Sequence, residues 1–431
     1  MKNIYSLLPD SASVSENGDF IISRFTIKEL AEKYGTPLYI YDAVTVQRNI
    51  QILRNCLSRY YPGDSTITYA AKAYFSYPFA QHIAKMGIGV DIVSENELLF
   101  ALKAGISPHK IHLHGNNKTD SELDGAIQSN IHAIVLDNFD DLNRLTHLST
   151  RNYSVPVWIR INPEIDVNTH PYRQTGHALS KFGFTISDGQ AENAIRELLS
   201  NPKFQLRGIH THIGSQIFDP HTYSEAIHKM LAVAKKSQWL PVEVCPGGGW
   251  GVPYHLEEID LDTGIEHWIK EISKTIQEEY QDTSFIPHLF LEPGRWIVAR
   301  AGIAVYRVGG IKSLPNGEKL LAIDGGMGDN IRPSLYQAKY EALLAENPLG
   351  KPVTRYKVVG RYCESGDTLL EEIDLPEVQA GNHLIIPVAG AYHLSMASNY
   401  NLVPRPAVLW IENGEVTVLQ KRENLWDSWW C

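Results

Sequence analysis

Cysteine is scarce in this sequence: Cys56, Cys245, Cys363 and Cys431 are the only four in 431 residues, and no two form a CxxC pair. That scatter argues against a disulfide framework or a structural zinc site and in favour of reduced thiols. Long apolar runs are missing too. No window is long and apolar enough to span a bilayer, and Met1 to Phe20 lacks the cationic start and continuous apolar segment of a signal peptide. The expectation is a cytoplasmic protein with no membrane partner. Basic runs are the third absence. With a formal net charge of -10 and no basic-aromatic stripe, nothing supplies the positive face that a phosphate backbone needs, so no nucleic-acid partner is expected. There is no tandem repeat or low-complexity segment either.

What is present is an alternation of short β-prone runs and amphipathic helical stretches. The strands read as Ile67–Ala71, Gly89–Val93, Ile111–His114, Ala133–Leu136, Val157–Ile161, Leu206–His212, Val242–Cys245 and Leu289–Glu292. Helical stretches separate most of them, and Ser94-Glu-Asn-Glu97 has the capping-box spacing that starts one. About eight strands in this alternation predict an α/β domain, a (β/α)8 TIM-type barrel of roughly 250 residues, placed at residues 36–300. Leu38–Tyr41 reads as a further short strand, followed by a helix over Val44–Ser58. After about Gly302 the texture changes to β-branched runs: Ala304–Val308, Lys319–Ile323, Tyr356–Val359, His383–Val388, Ala407–Ile411 and Val416–Leu419, with hairpin signals at Pro315-Asn-Gly and Asn413-Gly. These predict an all-β C-terminal domain, a β-sandwich or β-barrel over residues 301–431. Residues 1–35 join it, with a strand at Phe20–Phe25 and a helix at Thr26–Tyr34. The closing Leu425-Trp-Asp-Ser-Trp-Trp-Cys431 reads equally as a docking tail or as satellite packing.

One strand, Ile67-Thr-Tyr-Ala-Ala, runs into Lys72 with no nearby carboxylate to pair it. Barrel strands point their C-terminal ends at the active site, and a desolvated lysine there can form a Schiff base with a carbonyl, as pyridoxal phosphate requires. A single strand-end lysine more often snorkels to solvent, so the other motifs must decide. Gly247-Gly-Gly-Trp-Gly251 follows the seventh strand and suits either a phosphate cradle or a plain turn; it is not the GxGxxG of a dinucleotide site. Glu292-Pro-Gly-Arg295 ends the eighth strand and offers a carboxylate for a pyridine nitrogen, or simply a cap with a surface arginine. His112-Leu-His114 and His210-Thr-His212 each put two histidines on one strand face. Such pairs suit the metal ligands of a barrel hydrolase, while His212 equally suits a ring stacked on a planar cofactor. The hydrolase reading would leave Lys72, the glycine loop and Glu292 without a use. Arg295 and Arg332 can each grip a carboxylate, Cys363 stands beside Glu364 and Asp367, and Tyr392 can bond a phosphate or pack.

Taken together, Tyr69-Ala-Ala-Lys-Ala, Val90-Asp-Ile-Val-Ser-Glu-Asn-Glu-Leu, His114-Gly-Asn-Asn-Lys, Arg160-Ile-Asn-Pro, Lys181-Phe-Gly, His210-Thr-His-Ile-Gly-Ser-Gln, Gly247-Gly-Gly, Glu292-Pro-Gly-Arg, Arg332-Pro-Ser-Leu-Tyr, Cys363-Glu-Ser-Gly-Asp and Gly390-Ala-Tyr resemble, in order, the meso-diaminopimelate decarboxylase family. These are alanine-racemase-like, fold-type III pyridoxal phosphate enzymes, and the likeness runs from about Gly35 to Pro406. The resemblance implies a carboxy-lyase that turns meso-2,6-diaminopimelate into L-lysine and CO2, the last step of lysine biosynthesis. It implies pyridoxal 5'-phosphate held covalently by Lys72, with His212 on the ring face and Glu292 at the pyridine nitrogen. Asp91, Ser215, Gly248, Gly249, Gly294, Arg295 and Tyr392 complete the implied cofactor set, and no metal is implied. Substrate contacts map onto Arg295, Arg332, Tyr336, Glu364 and Tyr392, and Cys363 matches the proton donor. In this family Cys363 and Glu364 would reach the neighbouring subunit's site, so a head-to-tail homodimer is expected.

Related decarboxylases acting on ornithine, lysine, arginine or a secondary-metabolite substrate are the alternative, with the metal hydrolase behind them. Ornithine decarboxylases typically carry Asp-Gly after the cysteine, where this chain has Glu364-Ser365, and they lack the Arg332-Pro-Ser-Leu-Tyr segment. Departures from the family pattern are Trp250 after the glycines, Arg361-Tyr362 before the cysteine, and Lys339-Tyr340 where Tyr-His is expected.

Overall fold

The computed structural model describes residues 4–149, 154–165, 176, 180–262 and 264–427. Eight parallel strands form a closed barrel in chain order: Ser65–Ala70, Gly89–Ile92, Ile111–Leu113, Ala133–Leu136, Val155–Asn162, Phe204–His210, Glu243–Cys245 and His288–Leu291. Closure is complete because the fourth strand pairs with the fifth and the eighth with the first. Four of these strands, the second, third, fourth and seventh, are buried along their whole length, as expected where helices cover the outside and packed side chains fill the inside. The covering helices are amphipathic. In Ile265–Glu279, for example, Ile265, Trp268, Ile269, Ile272 and Ile276 form the inward stripe. Ser94 caps the helix Glu95–Lys103, and the Glu97 carboxylate reaches back to the Val93 N–H at 2.7 Å, which fixes where the second strand hands over to its helix.

The second domain is a mostly antiparallel sheet in the order Thr368–Leu375, Thr354–Val359, Lys319–Ile323, Gly302–Ser313, Leu38–Asp42, Ala407–Glu412 and Glu415–Gln420, with His383–Ile386 and Leu343–Leu344 branching from it. Leu38–Asp42 corrects the expected boundary at residue 36. It lies inside this sheet, antiparallel to Gly302–Ser313 and parallel to Ala407–Glu412, rather than on the barrel side. Its alternation explains the position. Tyr39 and Tyr41 join the core shared with the barrel, while Leu38 and Ile40 face a second cluster with Phe20, Ile22, Ile27 and Leu30 of the N-terminal segment. The expected strand at Phe20–Phe25 is a hairpin, Phe20–Ile22 and Phe25–Thr26, turned at Ser23 with φ 58°. Thr26 caps the helix Ile27–Tyr34 with a reciprocal Glu29 bond.

Thr368–Leu375 is a strand that the sequence reading omits. Its Glu371, Glu372 and Asp374 disguise a β-strand by charge, but they pair across the ladder with Arg355 and Lys357 of Thr354–Val359. The aromatic tail ends in a short turn at Leu425–Asp427 with Trp426 exposed, and residues 428–431 lie outside the described part. No helix among the described residues is long and apolar enough to cross a membrane.

Candidate active site

The C-terminal ends of the barrel strands and one edge of the second domain enclose a cavity of about 280 Å³. Seven of the eight strand ends bring a residue to it. The first contributes Lys72, on the single turn Ala71–Ala73, the second Asp91, the third His114, the fifth Arg160, the sixth His210 and His212, the seventh Gly249, and the eighth Glu292. The Lys72 turn is pinned from both sides. Ala70 donates its N–H to the Pro293 carbonyl at 3.2 Å, and the Ala73 carbonyl accepts the Tyr392 N–H at 2.8 Å and the Ser395 hydroxyl at 3.3 Å. A lysine backbone locked between the eighth-strand loop and the second domain aims its side chain into the cavity.

Glu292 is 6% exposed, and its two oxygens lie 3.0 Å from His114 Nε2 and 3.0 Å from His210 Nε2. Burial pushes the carboxyl up, yet the two imidazoles together hold it well below the usual carboxylate range. His210 is itself pushed down to about 4 by burial, so it serves Glu292 as a neutral N–H donor. Burial, with Glu292 adding to it, pushes Asp91 up to about 7, opposed by His114 and Lys72. His212 is held well below its ordinary value by burial and then by the Lys72 charge, so it presents a neutral ring to the cavity.

The opposite side carries two buried guanidinium groups. Arg295 donates to Ser215 Oγ at 2.8 Å and to the Tyr254 hydroxyl, and lies 4.6 Å over the Tyr392 ring. Arg332, 1% exposed, donates to the Tyr340 hydroxyl and lies 4.4 Å over the Tyr254 ring. Among the described residues neither arginine has a carboxylate partner, an arrangement that favours an anionic ligand at the site.

The donor set fits pyridoxal phosphate. A Cβ at Gly249, whose φ is 101°, would collide with the Gly214 carbonyl oxygen, and one at Gly248 would collide with the Glu292 carbonyl. Only glycine lets these loops close into a cradle beside Ser215 and Arg295. Facing that cradle are an amine for an aldehyde, an imidazole for a ring face and an ionised carboxylate for a pyridine nitrogen.

Of the residues expected at the site, Lys72, Asp91, His212, Ser215, Gly249, Glu292, Gly294, Arg295, Arg332, Tyr336 and Tyr392 come together around the cavity. Gly248 sits just behind it, its carbonyl accepting the Tyr223 hydroxyl at 2.8 Å. Cys363 and Glu364 do not line it. Both are exposed elsewhere on the second domain, Cys363 donating its N–H to Asn401 Oδ1 at 3.1 Å and Glu364 accepting the Tyr400 hydroxyl at 2.9 Å. Three ionisable lining groups carried no cofactor or substrate role in the sequence reading. His114 and His210 stood in it as members of metal-ligand pairs and of the family-like segments His114-Gly-Asn-Asn-Lys and His210-Thr-His-Ile-Gly-Ser-Gln, without a role of their own. Arg160, whose guanidinium lies 4.5 Å over the Phe182 ring, stood in it only as the start of the family-like segment Arg160-Ile-Asn-Pro. His112, His114 and Glu292 do cluster within 4.8 Å, as do His210, Cys245 and Glu292, but both oxygens of Glu292 already face imidazole nitrogens.

Comparison with known proteins agrees with this geometry. Residues 45–299 match the family model for the pyridoxal-dependent decarboxylase, pyridoxal binding domain. A diaminopimelate decarboxylase of Bacillus subtilis (strain 168) is 40% identical over 96% of this chain and 95% of its own length. One of Bacillus methanolicus is 38% identical over 96% of this chain and 97% of its own. The crystal structure of diaminopimelate decarboxylase from M. jannaschii in complex with L-lysine superposes with a TM-score of 0.89 at 32% identity, covering 97% of this chain and 96% of that one. With a lysine-bearing barrel, a glycine cradle and a family match over most of the barrel, this chain belongs to the diaminopimelate decarboxylases of the pyridoxal-dependent decarboxylase family.

Proposed function

We infer that this protein decarboxylates meso-2,6-diaminopimelate to L-lysine and CO2, using pyridoxal 5'-phosphate. The carrying observation is the pair of buried arginines without carboxylate partners among the described residues, facing across one cavity from a lysine at a strand end. When bound, the cofactor supplies an electron sink for the pair left behind as CO2 departs. Lys72 would hold it through its amine, His212 would cover one ring face, and Ser215, Gly248, Gly249, Gly294 and Arg295 would take the phosphate, with Tyr392 beside them. Glu292, kept ionised by His114 and His210, would hold a proton on the ring nitrogen. Asp91, pushed up to about 7 by burial, lies in the field of the Lys72 charge, which opposes that rise.

Arg332, Arg295 and Tyr336 would bind the distal carboxylate of the substrate. A monocarboxylic amino acid would leave those guanidiniums unpaired, and a site built around such a bond discriminates by roughly 10⁴-fold or more. We further propose a head-to-tail homodimer, supported by the exposed position of Cys363 and Glu364 away from their own protomer's cavity. Glu364 of the partner subunit would take the distal ammonium, and Cys363 of the partner subunit would protonate the α-carbon. A cytoplasmic location belongs to this reading, supported by the biosynthetic reaction.

Steady-state CO2 release measured on meso-diaminopimelate, lysine, ornithine and arginine tests the assignment, with turnover expected on the first alone. Lys72→Ala is expected to abolish both the visible cofactor band and turnover. Turnover on ornithine with none on the meso compound would sink the substrate; an unaltered band in Lys72→Ala would sink the anchor.

A further inference from the structure

Arg332 is one of the largest fully buried side chains in the molecule, and what holds it is unusual for a buried cation. Its Nη1 donates to the Tyr340 hydroxyl, which lies 2.8 Å from His393 Nε2. His393 Nδ1 lies 3.3 Å from the Tyr39 hydroxyl, and Tyr39 lies 3.0 Å from Asp329 Oδ2, which Tyr306 also contacts. Every member is buried, so each proton in the row must be accounted for. The two ends fix its direction. A guanidinium only donates, so Tyr340 accepts from Arg332 and its own O–H turns to His393. His393 therefore accepts at Nε2 and carries its proton on Nδ1, which goes to Tyr39. Tyr39 then donates to the Asp329 carboxylate. Burial, followed by the charges of Arg332 and Arg295, keeps His393 well below its ordinary value, in agreement with a neutral accepting ring.

We propose that Tyr340 and His393 are positioning residues for substrate specificity, orienting the Arg332 guanidinium through a neutral hydroxyl so that its whole positive charge remains for the distal carboxylate of the substrate. This rests on the proposed role of Arg332 as that carboxylate's clamp. A carboxylate at position 340 would hold Arg332 as firmly but would neutralise it before substrate arrives. A residue with no acceptor there would leave the guanidinium charged but with Tyr254 in place of the Tyr340–His393 row to direct it. Tyrosine supplies orientation without compensation, and His393 keeps the tyrosine proton from turning back toward the cation. Tyr340 is one of the two positions where Lys339-Tyr340 departs from the expected Tyr-His of the family, so this support is built from this chain's own residues. Tyr254, whose ring underlies Arg332, adds a π-face but no competing negative charge.

The test is the kinetics of purified holoenzyme on meso-diaminopimelate. Tyr340→Phe is expected to raise KM about tenfold with kcat within about threefold of the parent, the signature of weakened binding rather than lost chemistry. His393→Leu should do the same. His393→Gln, which keeps an acceptor toward Tyr340 and a donor toward Tyr39, should stay within about threefold in KM. In an Arg332→Gln background, Tyr340→Phe should add less than about twofold, because its effect passes through the arginine. If Arg332→Gln itself leaves KM unchanged, the carboxylate clamp is wrong. If Arg332→Gln raises KM strongly while Tyr340→Phe does not, or while the two effects multiply, the clamp stands and the positioning role falls. Should Tyr340→Phe lose its cofactor band, the contrast between His393→Leu and His393→Gln decides alone: equal KM values would overturn the proposal.

Discussion

Glu292 shows how much of this site is decided by single residues. A buried carboxylate would normally take up a proton, yet here two imidazole nitrogens lie 3.0 Å from its two oxygens and keep it charged. Burial acts on His210 as well. It is pushed down to about 4 from an ordinary 6.5, with Glu292 opposing the fall, so the folded protein holds it neutral. A depressed histidine contributes stability that is present above 6.5 and is lost as pH falls toward 4, because the unfolded chain takes up the proton first. We expect His210→Gln, whose amide still reaches Glu292, to flatten the fall of unfolding free energy between pH 6.5 and 4 by up to about 3 kcal/mol. Denaturant unfolding of both proteins across that range measures it; parallel curves would contradict the burial of a neutral His210. The sequence made the histidines visible through their two-residue spacing. It could not show that they converge on Glu292, because the third, sixth and eighth strand ends meet only when the barrel closes.

At the level of elements, the loop after the seventh strand and the turn after the first do the positioning. Gly248 and Gly249 pass so close to the Glu292 and Gly214 carbonyls that any side chain must push a strand end aside. Gly249→Ala adds a second penalty, since its φ of 101° is rarely adopted by residues with a Cβ. We expect that variant to fold with its barrel intact but to bind pyridoxal phosphate at least about tenfold more weakly, a loss of ~1.4 kcal/mol. Titration of cofactor-free protein, with the melting temperature alongside, separates weakened binding from unfolding, and an unchanged affinity would remove the cradle from the argument. The barrel itself was legible in the chain because its strands, packed on both faces, read as nearly unbroken apolar runs such as Ala133-Ile-Val-Leu136. Legibility failed where partners lie far off in sequence. Leu38–Asp42 carries no local mark that its neighbours are Gly302–Ser313 and Ala407–Glu412, and Thr368–Leu375 hides its β character behind acids whose counter-charges sit on the adjacent strand.

For the whole molecule, the question is where the proposed proton donor acts. The cavity lies between barrel and second domain of one chain, whereas Cys363 and Glu364 lie on an exposed patch with Tyr400 and Leu402, away from the cavity they are proposed to serve. A head-to-tail pair resolves this, since each protomer would lend its patch to the other's cavity and the isologous contact would complete two equal sites. Shared sites make an arithmetic prediction. Lys72→Ala and Cys363→Ala are each expected to be severely impaired in lysine formation, the second because protonation at the α-carbon loses its donor. Unfolding and refolding the two variants together would give half heterodimers, each with one site carrying both lesions and one carrying neither. Lysine output should therefore recover to about a quarter of the parent level at equal total protein, while each variant refolded alone shows no recovery. Mixed protein no more active than the average of its separately refolded components would mean that Lys72 and Cys363 act within one protomer, or that Cys363 does not act at all. Lysine formation by Cys363→Ala alone would distinguish these two outcomes, because it persists only in the second.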